Sequence, residues 1–334
     1  MKRYMLSLLA MLAALLLLIF WNINSGSVSL SVSQVFAILA GQAGDDASAR
    51  IILDIRLPRI QAAVILGGGL SVSGFLLQTF FNNPIAGPYV LGISSGAKLV
   101  VAMMMIFFLG RGIEITSLHM ILAAFAGSMV TMGFVLLLSS KVRRMSILVV
   151  CGIMVGYICS AITDFAVTFA DDSNIVNLHN WSLGSFGGIS WANVRIMSIV
   201  VPAAVLLAFL LSKPISAYQL GETYASNMGV NVRLLRIALI ILSSVLSACV
   251  TAFAGPISFV GLAVPHLVKT LTGSAKPIRL IPGCFFGGAL VTVFCDGLAR
   301  TLFAPTEVSI SSVTAVLLVP VVLWMMVKRQ NSRA

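Results

Sequence analysis

The chain has 334 residues, 59% of them hydrophobic and 9% charged, with a formal net charge of +11. An ordinary soluble domain carries about 25% charged residues, and no soluble fold of this length has enough interior for so many apolar side chains, so the surrounding solvent is lipid. Lipid admits only helix bundles or closed barrels, and the unbroken apolar runs Met11–Phe20 and Ile199–Leu211 exclude the apolar–polar alternation of barrel strands.

A bilayer core about 30 Å thick needs ~20 apolar residues per helix. That length predicts ten spans, at 5–23, 59–81, 90–109, 117–139, 146–170, 192–212, 233–254, 256–271, 280–301 and 309–327. Residues 1–334 are therefore read as one transmembrane domain of an all-α polytopic membrane protein. Lys2 and Arg3 stand before the first apolar run as in a signal peptide, but the run is long for one and no A-x-A site follows, so it is expected to remain as the first span. Between the first two spans, Ser33 to Leu39 followed by Gly41 reads as a short surface helix with a serine cap and a glycine stop. Gly69 and Ser73, Ala123 and Gly127, Gly152 and Gly156, and Gly283 and Gly287 recur at the spacing that lets helix backbones approach closely in lipid. The segment 171–191, with Asn177 to Trp181 and then Gly184, Gly187 and Gly188, reads as a short helix at the interface. In 213–232, residues 220–229 predict a two-turn helix with Glu222 in its favourable first turn and Gly229 at its stop. The eighth span is short and holds Pro256 and Pro265, which predicts a kink or slant.

The charges fix an orientation. With the N-terminus inside, the inner segments carry Lys2, Arg3, Lys141, Arg143, Arg144, Lys213, Arg233, Lys269, Lys276, Arg279, Lys328, Arg329 and Arg333 against Glu222 alone. The outer segments carry Arg50, Arg56, Arg59 and Arg111 against Asp45, Asp46, Asp54, Glu114, Asp171, Asp172 and Glu307. This is the positive-inside bias. It places both termini in the cytoplasm and accounts for the net charge without nucleic acid.

A site for covalent chemistry is not legible. The stretch Gly92 to Leu99 approaches a phosphate-binding loop, but Ala97 separates the glycine from Lys98 and Leu99 replaces the hydroxyl residue, so ATP-derived work must come from another chain. An ion-coupled carrier would bury acids near the midplane; Asp164 and Asp296 are the acids inside predicted spans, both near an outer end, where a wet vestibule is expected. Lys98 lies about two turns from the inner end, close enough to snorkel. His119, His179 and His266 form no metal-binding motif; His179 is expected on a solvated loop and His266 in a structural role. The five cysteines sit inside apolar segments as small hydrophobes. Arg236 and Arg195 read as interfacial anchors, and Arg56, Arg59 and Arg300 as an exposed basic cluster at the outer mouth, suited to headgroups or to an acidic partner.

Several motifs in order carry a resemblance. They are Ile55 to Arg59, Gly67 to Gly74 with Gln78, Asn83 to Pro88, Leu91 to Ala97, Gly184 to Phe186, Leu220 to Glu222 and Gly255 to His266. Together they resemble the FecCD-like permeases of binding-protein-dependent ABC importers for iron–siderophore complexes, haem and cobalamin, over residues 50 to 327. The resemblance implies a type II ABC importer permease architecture, a homodimer or paired permease, and passage of substrate along the dimer interface. The implied pathway residues are Ser94, Ser95, Lys98, Asp164 and Trp181. Two cytoplasmic ATPase subunits, which use ATP and magnesium, would dock on Leu220, Gly221, Glu222, Ala225, Met228 and Gly229. A periplasmic or lipid-anchored binding protein would dock on Arg56, Arg59 and Arg300. No cofactor or metal is expected on this chain. The resemblance favours an iron–siderophore cargo, with haem or cobalamin as the alternative; an ion-coupled carrier and a membrane enzyme are the readings outside the family.

Overall fold

The computed structural model describes residues 2–26, 31–41, 47–89, 92–109, 116–139 and 145–331. Asp45, Asp46, Arg111, Glu114, Lys141, Arg143, Arg144 and Arg333 of the charge pattern, and Leu91 of the motif set, lie outside the described residues.

The first span is α1 (Lys2–Asn24), and α2 (Val32–Leu39) follows on the surface. The cap of α2 is Ser31, two residues before the serine expected from the sequence. Its hydroxyl accepts from the Gln34 N–H at 3.3 Å while the Gln34 amide oxygen accepts from the Ser31 N–H at 3.0 Å. This reciprocal pair satisfies two donors that a helix start leaves orphaned. A short α3 (Ala47–Arg50) runs through a π turn (Ile51–Arg56) into α4 (Leu57–Phe81), a continuous helical run of 35 residues. The second span was expected to begin only at residue 59. A π turn widens the helix and frees backbone carbonyls, and here the Trp191 indole N–H donates to the Leu53 carbonyl at 2.8 Å. Pro58 stands in the first turn of α4, where its missing N–H is harmless, and Asn82 in the left-handed conformation ends the helix.

The remaining spans are α5 (Ile93–Leu109), α6 (Ser117–Ser139), α7 (Met145–Val167), α9 (Trp191–Leu210), α12 (Val232–Ala254), α13 (Val260–Thr272), α14 (Pro277–Thr301) and α15 (Ile310–Asn331). Three short helices join them: α8 (Asp172–Ser182), α10 (Ser212–Tyr218) and α11 (Glu222–Asn227). The sequence predicts α8 and α11 but not α10, whose residues the reading divides between a span end and a loop. Each predicted span has its helix. Among the described residues seven are long and apolar enough to cross a membrane, and α5 and α15 contribute the shorter apolar stretches Ile93–Phe108 and Ile310–Met325. At 13 residues α13 is shorter still, ~20 Å, because Gly255 and Phe259, both at positive φ, break the chain before it.

At the centre stands α4, packed against α9, α12, α13 and α14, with most of its residues buried. Small residues set the approach distances. A Cβ at Gly74 would lie 1.6 Å from the Gly261 carbonyl oxygen of α13, and one at Gly67 would lie 1.8 Å from the Thr292 hydroxyl of α14. That hydroxyl is 2.8 Å from the Ala63 carbonyl. The spaced pairs read from the sequence serve the same purpose: Gly127 meets Gly96, Gly156 meets Gly92, Gly283 and Gly287 meet Val268, and Gly69 meets Val201.

Gly74→Ala is expected to destabilise the folded protein by about 1–3 kcal/mol, since backbone rather than a flexible side chain must yield. Gly133→Ala, inside α6 and with a Cβ that would meet nothing within 4 Å, should leave the thermal midpoint in detergent unchanged or raise it slightly.

Candidate functional site

Two polar sites occupy the opposite ends of α4. At its finish lie α10 and α11. Gly221 (φ 124°) and Gly229 (φ 81°) bracket α11 in conformations that only glycine adopts without strain. Ala225 is fully buried beneath the helix, while Leu220 is 68% exposed and Met228 62% exposed on either side of it. Of the predicted coupling residues, Leu220 and Met228 are thus exposed and apolar, Ala225 is buried, and the two glycines flank the helix at positive φ.

Glu222 is held from a different element. Its carboxylate forms an ion pair with Arg236, on the second turn of α12. The Tyr218 hydroxyl, at the end of α10, is 3.2 Å from Glu222 Oε1 and 3.3 Å from the Phe80 carbonyl in the last turn of α4. Burial pushes the Tyr218 phenol above its ordinary value, so it stays protonated and donates. Gln219 Nε2 reaches Thr79 Oγ1 at 3.5 Å. Arg236, expected as an interfacial anchor, and Tyr218, not singled out at all, are the side chains that sequence reasoning missed. The available signal was charge balance, because Glu222 is the one acid of the inner segments and Arg236 a cation inside an apolar run.

At the start of α4 the structure overturns an expectation. Arg56, Arg59 and Arg300 do come together, but not as an exposed cluster: they are 3%, 7% and 7% exposed. A buried guanidinium needs a compensating partner, and each has one. Arg59 forks onto Asp296, with Nη2 at 2.9 Å from Oδ1, and reaches Glu307 through Nη1 at 3.0 Å. Arg300 Nε lies 3.5 Å from Asp296 Oδ2, and its Nη2 donates to the Asn22 side chain and carbonyl. Arg56 donates to the Ile23 and Asn24 carbonyls at the end of α1, where a helix leaves acceptors unfilled and its dipole favours a cation. Asp296, expected in a wet vestibule, is 1% exposed, because two arginines share it.

The predicted pathway residues line one flank without converging on a single point. Ser94, Ser95 and Lys98 are half-buried on the first turns of α5, and Ser160 Oγ of α7 is 3.5 Å from Ser95 Oγ. Ser94 also borders a small cavity of about 60 Å³ beside Ser258 and Phe259 of the break before α13. Trp181 of α8 is half-buried against the apolar cluster of α5 and α6. On α7, Tyr157, Ala161 and Asp164 are all exposed and share one helix face, and exposed Thr168 follows in the turn after the helix. His179 is exposed as expected, and the His266 ring nitrogen Nε2 lies 2.8 Å from the Pro84 carbonyl, tying α13 to the turn after α4.

Residues 14–328 match the sequence model described as the FecCD transport family. The chain is 35% identical over 335 residues to the hemin transport system permease protein HmuU of Yersinia pestis, covering 99% of this chain and 98% of that one. It is 36% identical over 336 residues to the vitamin B12 import system permease protein BtuC of Vibrio parahaemolyticus, covering 99% and 97%. Among solved structures, a chain described as a metal-chelate type ABC transporter in an inward-facing conformation superposes with a TM-score of 0.84 at 27% identity, over 96% of this chain and 98% of that one.

Asp296→Asn should cost about 3–5 kcal/mol, because it leaves two buried guanidiniums without their shared counter-charge. Glu307→Gln, at a side chain 49% exposed, should cost under ~1 kcal/mol. Thermal unfolding of the two variants in detergent micelles checks the ranking.

Proposed function

The chain belongs to the FecCD transport family and is a permease subunit of an ABC importer, and from that premise we propose that it moves a metal-chelate nutrient into the cytoplasm in partnership with a second permease copy, two ATPase subunits and a substrate-binding protein. An iron–siderophore complex is the cargo that the motif resemblance favours. Haem or cobalamin is the second reading, favoured by the 35% identity to a hemin permease and the 36% identity to a vitamin B12 permease over nearly the whole chain.

The observation that carries the proposal is α11. A helix of six residues does not stabilise itself, and this one stands between glycine hinges with Leu220 and Met228 exposed. Apolar knobs on a protruding helix outside the bilayer suit the groove of a separate motor protein. The positive-inside bias assigns that end, and both termini, to the cytoplasm.

The cargo path is proposed along α7. Lipid does not tolerate an exposed aspartate within a span, so the face carrying Tyr157 and Asp164 is assigned to a wet seam against the second copy. The binding protein is assigned to the arginine end. There Glu307 is the half-exposed carboxylate of the cluster, the one that an acidic side chain of the docked protein could replace. ATP binding and hydrolysis by the motor would shift the bundle between outward and inward forms, which differ in how they hold α11.

Proteoliposomes holding the complex are expected to take up haemin, cyanocobalamin or a ferric hydroxamate siderophore only with ATP on the ATPase side. Uptake driven by a proton gradient without ATPase would overturn the proposal. Leu220→Asp should weaken co-purification of the ATPase about tenfold, as expected for one anchor of an interface.

A further inference from the structure

The joint between α11 and the two spans behind it goes beyond the family assignment. Nothing inside α11 fixes its attitude. It has six residues, a glycine hinge at each end and one buried footing, Ala225. Its orientation is set by side chains reaching in from elsewhere: Arg236 of α12 on the Glu222 carboxylate, and Tyr218 of α10 beside the same carboxylate. The Tyr218 hydroxyl has one proton and two acceptors within reach, Glu222 Oε1 at 3.2 Å and the Phe80 carbonyl at 3.3 Å. The Phe80 carbonyl lies in the last turn of α4, where helical partners run out. Arg236 Nε lies 3.5 Å from the same phenol oxygen. A displacement of α11 would therefore alter the ion pair to α12 and the choice of acceptor at α4 together, which gives the joint two alternative hydrogen-bonding arrangements.

We propose that Arg236 and Tyr218 are positioning residues that convert movement of α11 into movement of α4 and α12, and so couple ATP hydrolysis to transport. The inference rests on the function proposed above, with α11 as the seat of the motor. Neither side chain need touch the ATPase or the cargo. A merely structural role would weaken folding or docking and leave the yield of transport per ATP unchanged, and this is the distinction to measure.

The experiment uses the complete complex of permease, ATPase and binding protein in proteoliposomes, with haemin, cyanocobalamin and a ferric hydroxamate siderophore as probes. Arg236→Met is expected to keep the ATPase bound and hydrolysing while uptake per ATP falls about tenfold, the scale of losing a charge-assisted contact. Arg236→Lys should recover most of that ratio. Tyr218→Phe, which deletes only the hydroxyl, should lower it about two- to threefold. Unchanged uptake per ATP in Arg236→Met, with wild type active, overturns the joint alone. A wild-type chain that recruits no ATPase overturns the proposed function on which the joint rests. Should Arg236→Met fail to accumulate, Tyr218→Phe decides: an unchanged ratio there overturns the proposal.

Discussion

The backbone of α4 lies in direct contact with its neighbours, and the rest of the molecule is arranged around that fact. In lipid the hydrophobic effect does not drive helices together, so close packing and hydrogen bonds must. Gly74 lets the Gly261 carbonyl of α13 approach to a distance that no side chain would permit, and Gly67 does the same for Thr292 of α14. Ser73 extends the seam to α12, with its hydroxyl 2.8 Å from the Ser243 carbonyl and 2.6 Å from the Ser247 hydroxyl. A helix gripped on this many sides moves as a rod. At 25 residues it is about 37 Å long, enough to join one face of a bilayer to the other.

Each polar site is attached to one end of that rod. Arg59, at its start, is clamped to Asp296 of α14 and Glu307 beyond it. Phe80, at its finish, faces the Tyr218 hydroxyl and through it Glu222 and Arg236. The two clusters differ in kind. Around Asp296 the guanidiniums of Arg59 and Arg300 are buried and share its carboxylate, so removing Asp296 leaves buried charge uncompensated. Around Glu222 the groups are partly exposed and the phenol has a choice of acceptors, so small displacements are cheap. A fixed anchor at one end and a yielding joint at the other suit a body that must transmit motion from a separate motor.

The α7 flank follows a different logic. Its exposed residues form one broad face, on which apolar Met154, Ile158, Ile162 and Phe165 adjoin Tyr157 and Asp164. The break before α13, with Phe259 held at φ 63°, brings irregular backbone near Ser94 on the same general flank of α5. Irregular backbone at membrane depth is tolerated where protein or water covers it.

The membrane class, the ten apolar segments, the short helices after α7 and at residues 222–227, and the small-residue pairs are legible along the chain. These depend on local quantities, namely hydropathy over ~20 residues, capping chemistry and helical spacing. The same local pattern also brings Arg56, Arg59 and Arg300 to one end. That they face inward follows from packing, because burial depends on Asp296, Glu307 and the end of α1, residues distant in the chain whose placement no periodicity encodes. The backward extension of α4 through a π turn was hidden for a related reason: its freed carbonyl finds a partner in Trp191, 138 positions away. The partnership of Arg236 and Tyr218 with Glu222 likewise crosses element boundaries. Local pattern reports what each helix is, and long-range pairing of charges and hydrogen bonds decides which way its polar residues turn.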